Sequence, residues 1–296
     1  MVSRQEWVGN LIALKLRAAS VGAVVEVMPS NDSTEVDVAA TARMLDDRVK
    51  LVSLTWIGAS GALINPAAEL GAVVPESKAY YIIDASQALG QLPIDVAMLQ
   101  CHGLVACGGK FLRGPPGTGM AYVARSLLPL LRPVSFDDRS ASWNNAHPRL
   151  QQSARVLESA EGSVALQLGL LEAIDSTLKA DPAEIRRRLD SVATVLRGAL
   201  VNTPELVLHD RGREKAALVT FSIAGISCDK VKHVLALKNI SIGRHGASYT
   251  PIDREMRGVS DILRASVNLD TDDAAISRLT GAIRQMITSA LQHSQR

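Results

Sequence analysis

The chain has 296 residues, 47% of them hydrophobic and 21% charged, with a formal net charge of +2. Such a length and apolar content suit one large or two small domains, and the near-balanced charge leaves no electrostatic footprint for nucleic acid. Aromatic residues make up 3%, too few for interleaved base-stacking platforms.

Residues 7–19 form an amphipathic run, followed by a short apolar strand at 23–28 and a turn at 29–33. Residues 37–45, acidic early and basic late, predict a helix. The β-branched, apolar stretch 49–56 predicts a buried strand. A helix at 66–74 and strands at 80–83, 103–106 and 119–123 follow. Apolar strands alternating with helical periods imply a mostly parallel sheet covered on both faces. After Arg132 the texture changes. Residues 135–152 are polar and aperiodic, which predicts a long surface loop. Residues 157–178 predict a long helix. A second opens at Asp181, with Pro182 in its first turn, and runs to about residue 200. Residues 217–223, 241–244 and 262–267 read as strands of a smaller sheet, and 272–291 as a terminal amphipathic helix. The expected organisation is a large α/β domain over 1–158 and a smaller α+β domain over 159–296.

The three cysteines, Cys101, Cys107 and Cys228, lack metal-ligand spacing, and a reduced compartment is the default for them. The N-terminus carries no charged-then-apolar leader, and no apolar run is long enough to span a bilayer. A soluble, cytoplasmic protein without membrane contact is expected.

The chemistry gathers in YYIIDASQALGQLPIDVAMLQCHGLVACGGKFLRGPPGTGMAYV, from Tyr80 to Val123. Asp84 ends an apolar strand. It reads either as a cap for the next turn or as a carboxylate facing a cationic ring. Gln87 reads as a surface residue or a polar contact to that ring. Lys110 follows a second strand and precedes a loop in which Gly114, Gly117 and Gly119 permit close backbone approach. The loop is not a P-loop, because its lysine precedes the glycines and no Lys-Ser/Thr pair follows them. A carboxylate and a lysine at successive strand exits suit a site that holds a cationic heteroaromatic cofactor and condenses it with an amine.

This stretch resembles the signature of the class V aminotransferases. That family is pyridoxal 5'-phosphate (PLP)-dependent, of fold type I, and includes cysteine desulfurases, isopenicillin N epimerases and hercynylcysteine sulfoxide lyases. The resemblance extends to RQEWVGN at 4–10, GALINPAAELGAV from Gly61 and ILRASVNLDTDDAAISRL from Ile262. It implies that Asp84 pairs with the pyridine nitrogen, Gln87 contacts the phenolic oxygen, and Lys110 forms the Schiff base. Trp7 takes the place of the ring-stacking residue, a core tryptophan being the other reading. Arg264 takes the place of the arginine that grips the substrate α-carboxylate, which a planar guanidinium does bidentately and a lysine does not.

Four departures from the family pattern concern cofactor retention. The chain lacks a counterpart to several tens of residues before RQEWVGN, among them a helix start that holds the PLP phosphate. Cys107, a weak donor, stands where Ser or Thr is usual. Gly109 stands for the His or Arg before the lysine. Gly58 stands for Asn or Thr near the ring. The resemblance therefore implies an N-terminally shortened member with weak PLP binding. Residues 242–263 contain no cysteine, which disfavours persulfide chemistry, and the motif texture is nearest the epimerase and sulfoxide-lyase branch. The expected activity starts with imine exchange at Lys110 and proton removal at the substrate Cα, and ends as a lyase, epimerase or aminotransferase acting on an amino acid. A homodimer is implied. The alternative is a PLP-impaired pseudoenzyme serving as an interaction subunit. His245, on a glycine-bordered loop before Arg264, reads as a residue facing the substrate or, the favoured reading, as a surface histidine.

Overall fold

A computed structural model describes residues 1–144 and 146–294. In chain order the elements are α1 (Val8–Ser20), α2 (Val38–Met44), β1 (Leu51–Thr55), α3 (Ala67–Val73), β2 (Tyr80–Asp84), α4 (Val96–Leu99), β3 (Gly103–Cys107) and β4 (Gly119–Val123). Then come β5 (Ala141–Asn144), β6 (His147–Leu150), α5 (Val164–Lys179), α6 (Pro182–Val201), β7 (Leu206–Leu208) and β8 (Leu218–Ile223). The last are α7 (Cys228–Leu237), β9 (Gly243–His245), α8 (Pro251–Arg257), β10 (Ile262–Ser266) and α9 (Asp273–Ser294). These residues form two compact units. One comprises Met1–Asp37, Ile57–Pro66 and Ala183–Arg296; the other comprises Val38–Trp56 and Ala67–Pro182. No helix among the described residues is long and apolar enough to cross a membrane.

The second unit is built on a sheet of order β1-β2-β3-β4. β1, β2 and β3 run parallel, and β4 returns antiparallel to β3. Alternation along β2 explains its seating. Tyr81 and Ile83 are fully buried while Tyr80, Ile82 and Asp84 are half-buried. Each such apolar side chain contributes about 1.5–3 kcal/mol by leaving water. The Tyr81 hydroxyl donates to the Ala67 carbonyl at 2.9 Å, which fixes α3 on the strand. The expected cover on both faces fails at one side of the sheet. Val105 and Tyr122 are exposed and β4 is largely so, because an antiparallel edge strand needs no crossover helix to shield it.

The predicted loop at 135–152 holds a hairpin instead, β5 paired with β6 from Ala141↔Leu150 to Asn144↔His147, with Asn145 outside the described residues. Asp137 prepares its entry. Its Oδ1 accepts from the Arg139 and Ser140 amides and its Oδ2 from the Ala160 amide at 2.7 Å. Four-residue strands with an exposed Trp143 and His147 give no readable alternation. The helix expected from 157 begins later, at Val164, where the Ser163 hydroxyl accepts from the Leu166 amide as N-cap; residues 154–157 are a single 3₁₀ turn.

The first unit carries an antiparallel sheet of order β7-β8-β10-β9. α6 buries Ile185, Leu189, Val192, Leu196 and Leu200, one stripe at helical spacing, and α9 buries Ile276, Leu279, Ile283 and Ile287 in the same manner. The sequence reading had no counterpart for α7, whose start is capped by the Ser227 hydroxyl accepting from the Lys230 amide. The strand expected at 23–28 is reduced to one parallel bridge, Val2↔Val27. Val24 is exposed there, so the apolar run finds no sheet to join.

Candidate active site

In the second unit the parallel register sets Asp84 beside Val105. Asp84 and the segment after Cys107 therefore leave the sheet at the same carboxyl end, where open α/β sheets bind ligands. Asp84 Oδ1 accepts from the Ser86 amide at 2.8 Å, and the Ala88 and Leu89 amides both return to the Ala85 carbonyl. This tight turn buries Gln87, whose carbonyl accepts from the Gln91 side chain at 2.5 Å; it is not the surface residue that its sequence position also allowed. The Cys107 thiol donates to the Ser86 hydroxyl at 3.4 Å, joining the exits of β2 and β3.

The Lys110 loop is shaped by backbone approach. Gly90 has φ +86, and a Cβ there would run into the backbone of Phe111 and Leu112. The turn after Asp84 and the turn carrying Lys110 thus touch main chain to main chain, as glycine permits. The Gly108 amide donates to the Thr118 carbonyl, Gly114 to Gly108 and Arg113 to Lys110. Leu112 is buried as the anchor of this loop, while Lys110 is exposed. From α5, Leu170 covers Gly108 and Gly114, and Gly169 leaves room for Pro115. A side chain at Gly109 would begin 2.9 Å from Pro116 Cα. The His or Arg usual there has no space against this double-proline loop.

These residues fit PLP at its ring end. A carboxylate, a buried amide side chain and an accessible amine leave one edge of the sheet together. Paired Cys107 and Ser86 offer only weak-to-moderate donors for a phosphate.

Trp7 and Arg264 belong to the first unit. Trp7 is the residue before α1; it is 45% exposed, and its ring lies over Gly9, where any Cβ would collide with it. It is therefore not the core tryptophan of the other reading. The segment before it is pinned. Arg4 Nε meets Asp253 Oδ1 at 2.9 Å, both side chains being buried. Gln5 donates to the Thr34 carbonyl at 2.9 Å and accepts from Asn65 at 3.2 Å. A Cβ on Gly58 would stand 3.0 Å from Gln5 Cβ, which accounts for glycine at a position where larger residues are usual.

Arg264 extends from β10 and donates through Nη1 to the Ala59 carbonyl at 2.7 Å, while its Nε is buried without a partner. Burial holds its pKa below the ordinary arginine value. His245 is buried, contrary to the surface placement expected of it. Its Nδ1 lies 3.3 Å from the Ser60 hydroxyl, and its ring stacks on Tyr249 with centroids 4.4 Å apart. Burial, reinforced by Arg264 and Arg254, lowers its pKa to about 4, so the imidazole is neutral near pH 7. Ser60 and Ser86 carried no readable signal in isolation, each being a common turn residue whose partner lies 185 and 21 positions away; Tyr249 gave none because its stacking on His245 depends on the turn between them.

The fold is shared with solved cysteine desulfurases and with the cystine C-S lyase C-DES. An apo cysteine desulfurase from Thermococcus onnurineus superposes with a TM-score of 0.90 at 18% identity, over 97% of this chain and 72% of that one. A lysine-to-alanine mutant of C-DES with glycine covalently linked to its PLP cofactor superposes with a TM-score of 0.84 at 20% identity, over 96% of this chain and 73% of that one. The family model for class-V aminotransferases matches residues 1–279, and the chain belongs to that family. Among relatives, it is 26% identical over 285 residues to the cysteine desulfurase of Synechococcus elongatus, covering 95% of this chain and 45% of that protein. The chain thus spans under half the length of that relative.

Proposed function

We propose that the chain acts on an amino acid with PLP, held at Lys110 and Asp84, as a lyase, epimerase or aminotransferase. The observation that carries this reading is the shared exit of Asp84 and Lys110, with their turns locked together at Gly90. When bound, PLP supplies an electron sink for charge developing at the substrate Cα. Asp84 would hold the ring nitrogen in its protonated form, and Gln87 would orient the ring through its phenolic oxygen. Lys110 would capture the aldehyde and move the proton at Cα. Trp7 would cover the ring face. Cys107, with Ser86, would face the phosphate and grip it weakly. Arg264 would take the substrate α-carboxylate.

The named relatives are desulfurases, yet residues 242–263 of this chain contain no cysteine, and Cys228 is buried at the start of α7 with its thiol pKa raised by that burial. This supports a reaction other than persulfide formation. We also propose a homodimer, supported by the exposed apolar side chains Val164, Leu168 and Leu171 of α5. A monomer across the micromolar range in sedimentation would count against it.

The test is a visible-absorption titration of the purified protein with PLP, then with L-alanine or ethylamine. A PLP band that responds to L-alanine at lower concentration than to ethylamine supports the reading. Arg264→Lys is expected to weaken the L-alanine response about 10–100-fold, the worth of roughly 1.5–3 kcal/mol for a charge-assisted hydrogen bond, and to leave ethylamine unchanged. Loss of the band on dialysis marks the weak phosphate grip. No band at any PLP concentration would sink the enzyme reading and leave the non-catalytic alternative.

A further inference from the structure

We propose that His245 and Ser60 are positioning residues for Arg264, holding the Ala59 carbonyl that anchors its guanidinium and so setting the edge it presents to a substrate carboxylate. This rests on the reading of Arg264 as the carboxylate-binding residue.

The argument begins with register. β9 and β10 pair antiparallel with Arg264 opposite Gly243 and Ile262 opposite His245. Paired residues, and residues two apart on one strand, share a face of the sheet. His245 and Arg264 are therefore diagonal neighbours on one face. Directly opposite Arg264 stands a glycine, and the His245 ring fills the space that glycine leaves. A Cβ on Gly243 would lie 3.3 Å from His245 Nε2 and 3.4 Å from its Cδ2. Tyr249 closes the other side of the ring by stacking. The imidazole is thus fixed by a vacancy on one side and an aromatic wall on the other.

Its Nδ1 faces the buried Ser60 hydroxyl, and the residue before Ser60 supplies the carbonyl on which Arg264 Nη1 rests. The Ala59 carbonyl and the Ser60 Cα belong to one planar peptide unit, so a hold on the Ser60 hydroxyl restrains that carbonyl through the Ser60 Cα. The guanidinium follows that carbonyl, because Ala59 is the hydrogen-bond acceptor given to it and its Nε has none. A neutral imidazole suits this place. A charged one would be buried and would add a third cation beside Arg264 and Arg254; burial first, and that repulsion after it, lower its proton affinity.

Four variants decide it: His245→Leu removes the contact, His245→Asn keeps a polar group near the Nδ1 position, Ser60→Ala removes the hydroxyl, and Arg264→Lys assigns the arginine signal. In the PLP-loaded protein, His245→Leu and Ser60→Ala are expected to lose about tenfold in response to L-alanine with ethylamine unchanged, and His245→Asn to recover most of it. Without PLP, the Arg264 Nε–H resonance is expected to exchange slowly with water in the parent and in His245→Asn, and rapidly in His245→Leu. Unchanged L-alanine preference in His245→Leu, or equal loss toward both amines, overturns the positioning role. If the parent protein itself shows no preference for L-alanine, the Arg264 reading fails, and the resonance alone decides: slow exchange retained in His245→Leu overturns the positioning claim, and rapid exchange there upholds it.

Discussion

Lys110→Ala is expected to remove the visible PLP band and to lower turnover of any amino-acid substrate by roughly 10²–10⁴-fold or more, the range for a positioned proton-transfer group, compounded by loss of the covalent hold on the cofactor. The substitution sits on an exposed side chain, while the loop is held by Leu112, the glycines and main-chain bonds from Gly108 and Gly114. Its melting temperature should therefore match the parent's. That separation makes the result decisive: a retained band in Lys110→Ala would mean that another amine carries the cofactor. A band lost together with a collapsed melting transition would require the conservative Lys110→Arg, which keeps the charge and forms no imine under these conditions.

Asp253→Ala is expected to be the most destabilising single change in the first unit. Asp253 meets Arg4 at 2.9 Å through Oδ1 and Arg257 at 3.3 Å through Oδ2; Arg4 and Asp253 are buried and Arg257 is largely so. Arg257 also donates to the His209 carbonyl at 2.7 Å, and Arg254 is buried next in sequence. Removing the carboxylate strands two guanidiniums beside a third. Breaking one partner of a buried pair costs about 3–5 kcal/mol. Urea unfolding measures it; a change under about 1 kcal/mol would mean that water enters and neutralises the loss. Asp253→Asn, which keeps hydrogen-bond capacity at one oxygen, should fall between the two.

The contrast between these two residues marks what a sequence reveals. The position of Lys110 just past the end of β3 was legible because strand, acid, turn and glycines follow one another in one continuous stretch. β1, β2 and β3 were legible for the same reason: apolar, β-branched runs between turn residues leave few alternatives. Asp253 gave no sign, because Arg4 lies 249 positions away. Gly58 and Gly109 read as missing family side chains, and only the closeness of Gln5 and Pro116 gives the steric cause. His245 was expected at the surface because glycines flank it, yet Gly243 is what lets it turn inward. The run at 23–28 failed in the opposite direction, since a strand needs a neighbour as well as a pattern. α7 carries a cap in Ser227 and apolar spacing in Val231 and Leu235, a weaker pattern than the strand runs on either side of it.

The two compact units do not follow one another along the chain, and this sets an order of events during synthesis. The second unit has all its residues once Pro182 has been made, whereas the first must gather Met1–Asp37 with a segment starting at Ala183. At the ribosome's pace of about 5–20 residues per second, the earlier segment waits on the order of ten seconds for its partners. Throughout that interval the apolar side chains of α1, Arg4 and the bridge-forming Val2 have no completed unit to enter. The segment Met1–Asp37 is therefore the stretch most open to chaperone capture or wrong pairing while its unit is incomplete, and folding of the first unit should be governed by the late arrival of α8 and β10 rather than by the sheet of the second.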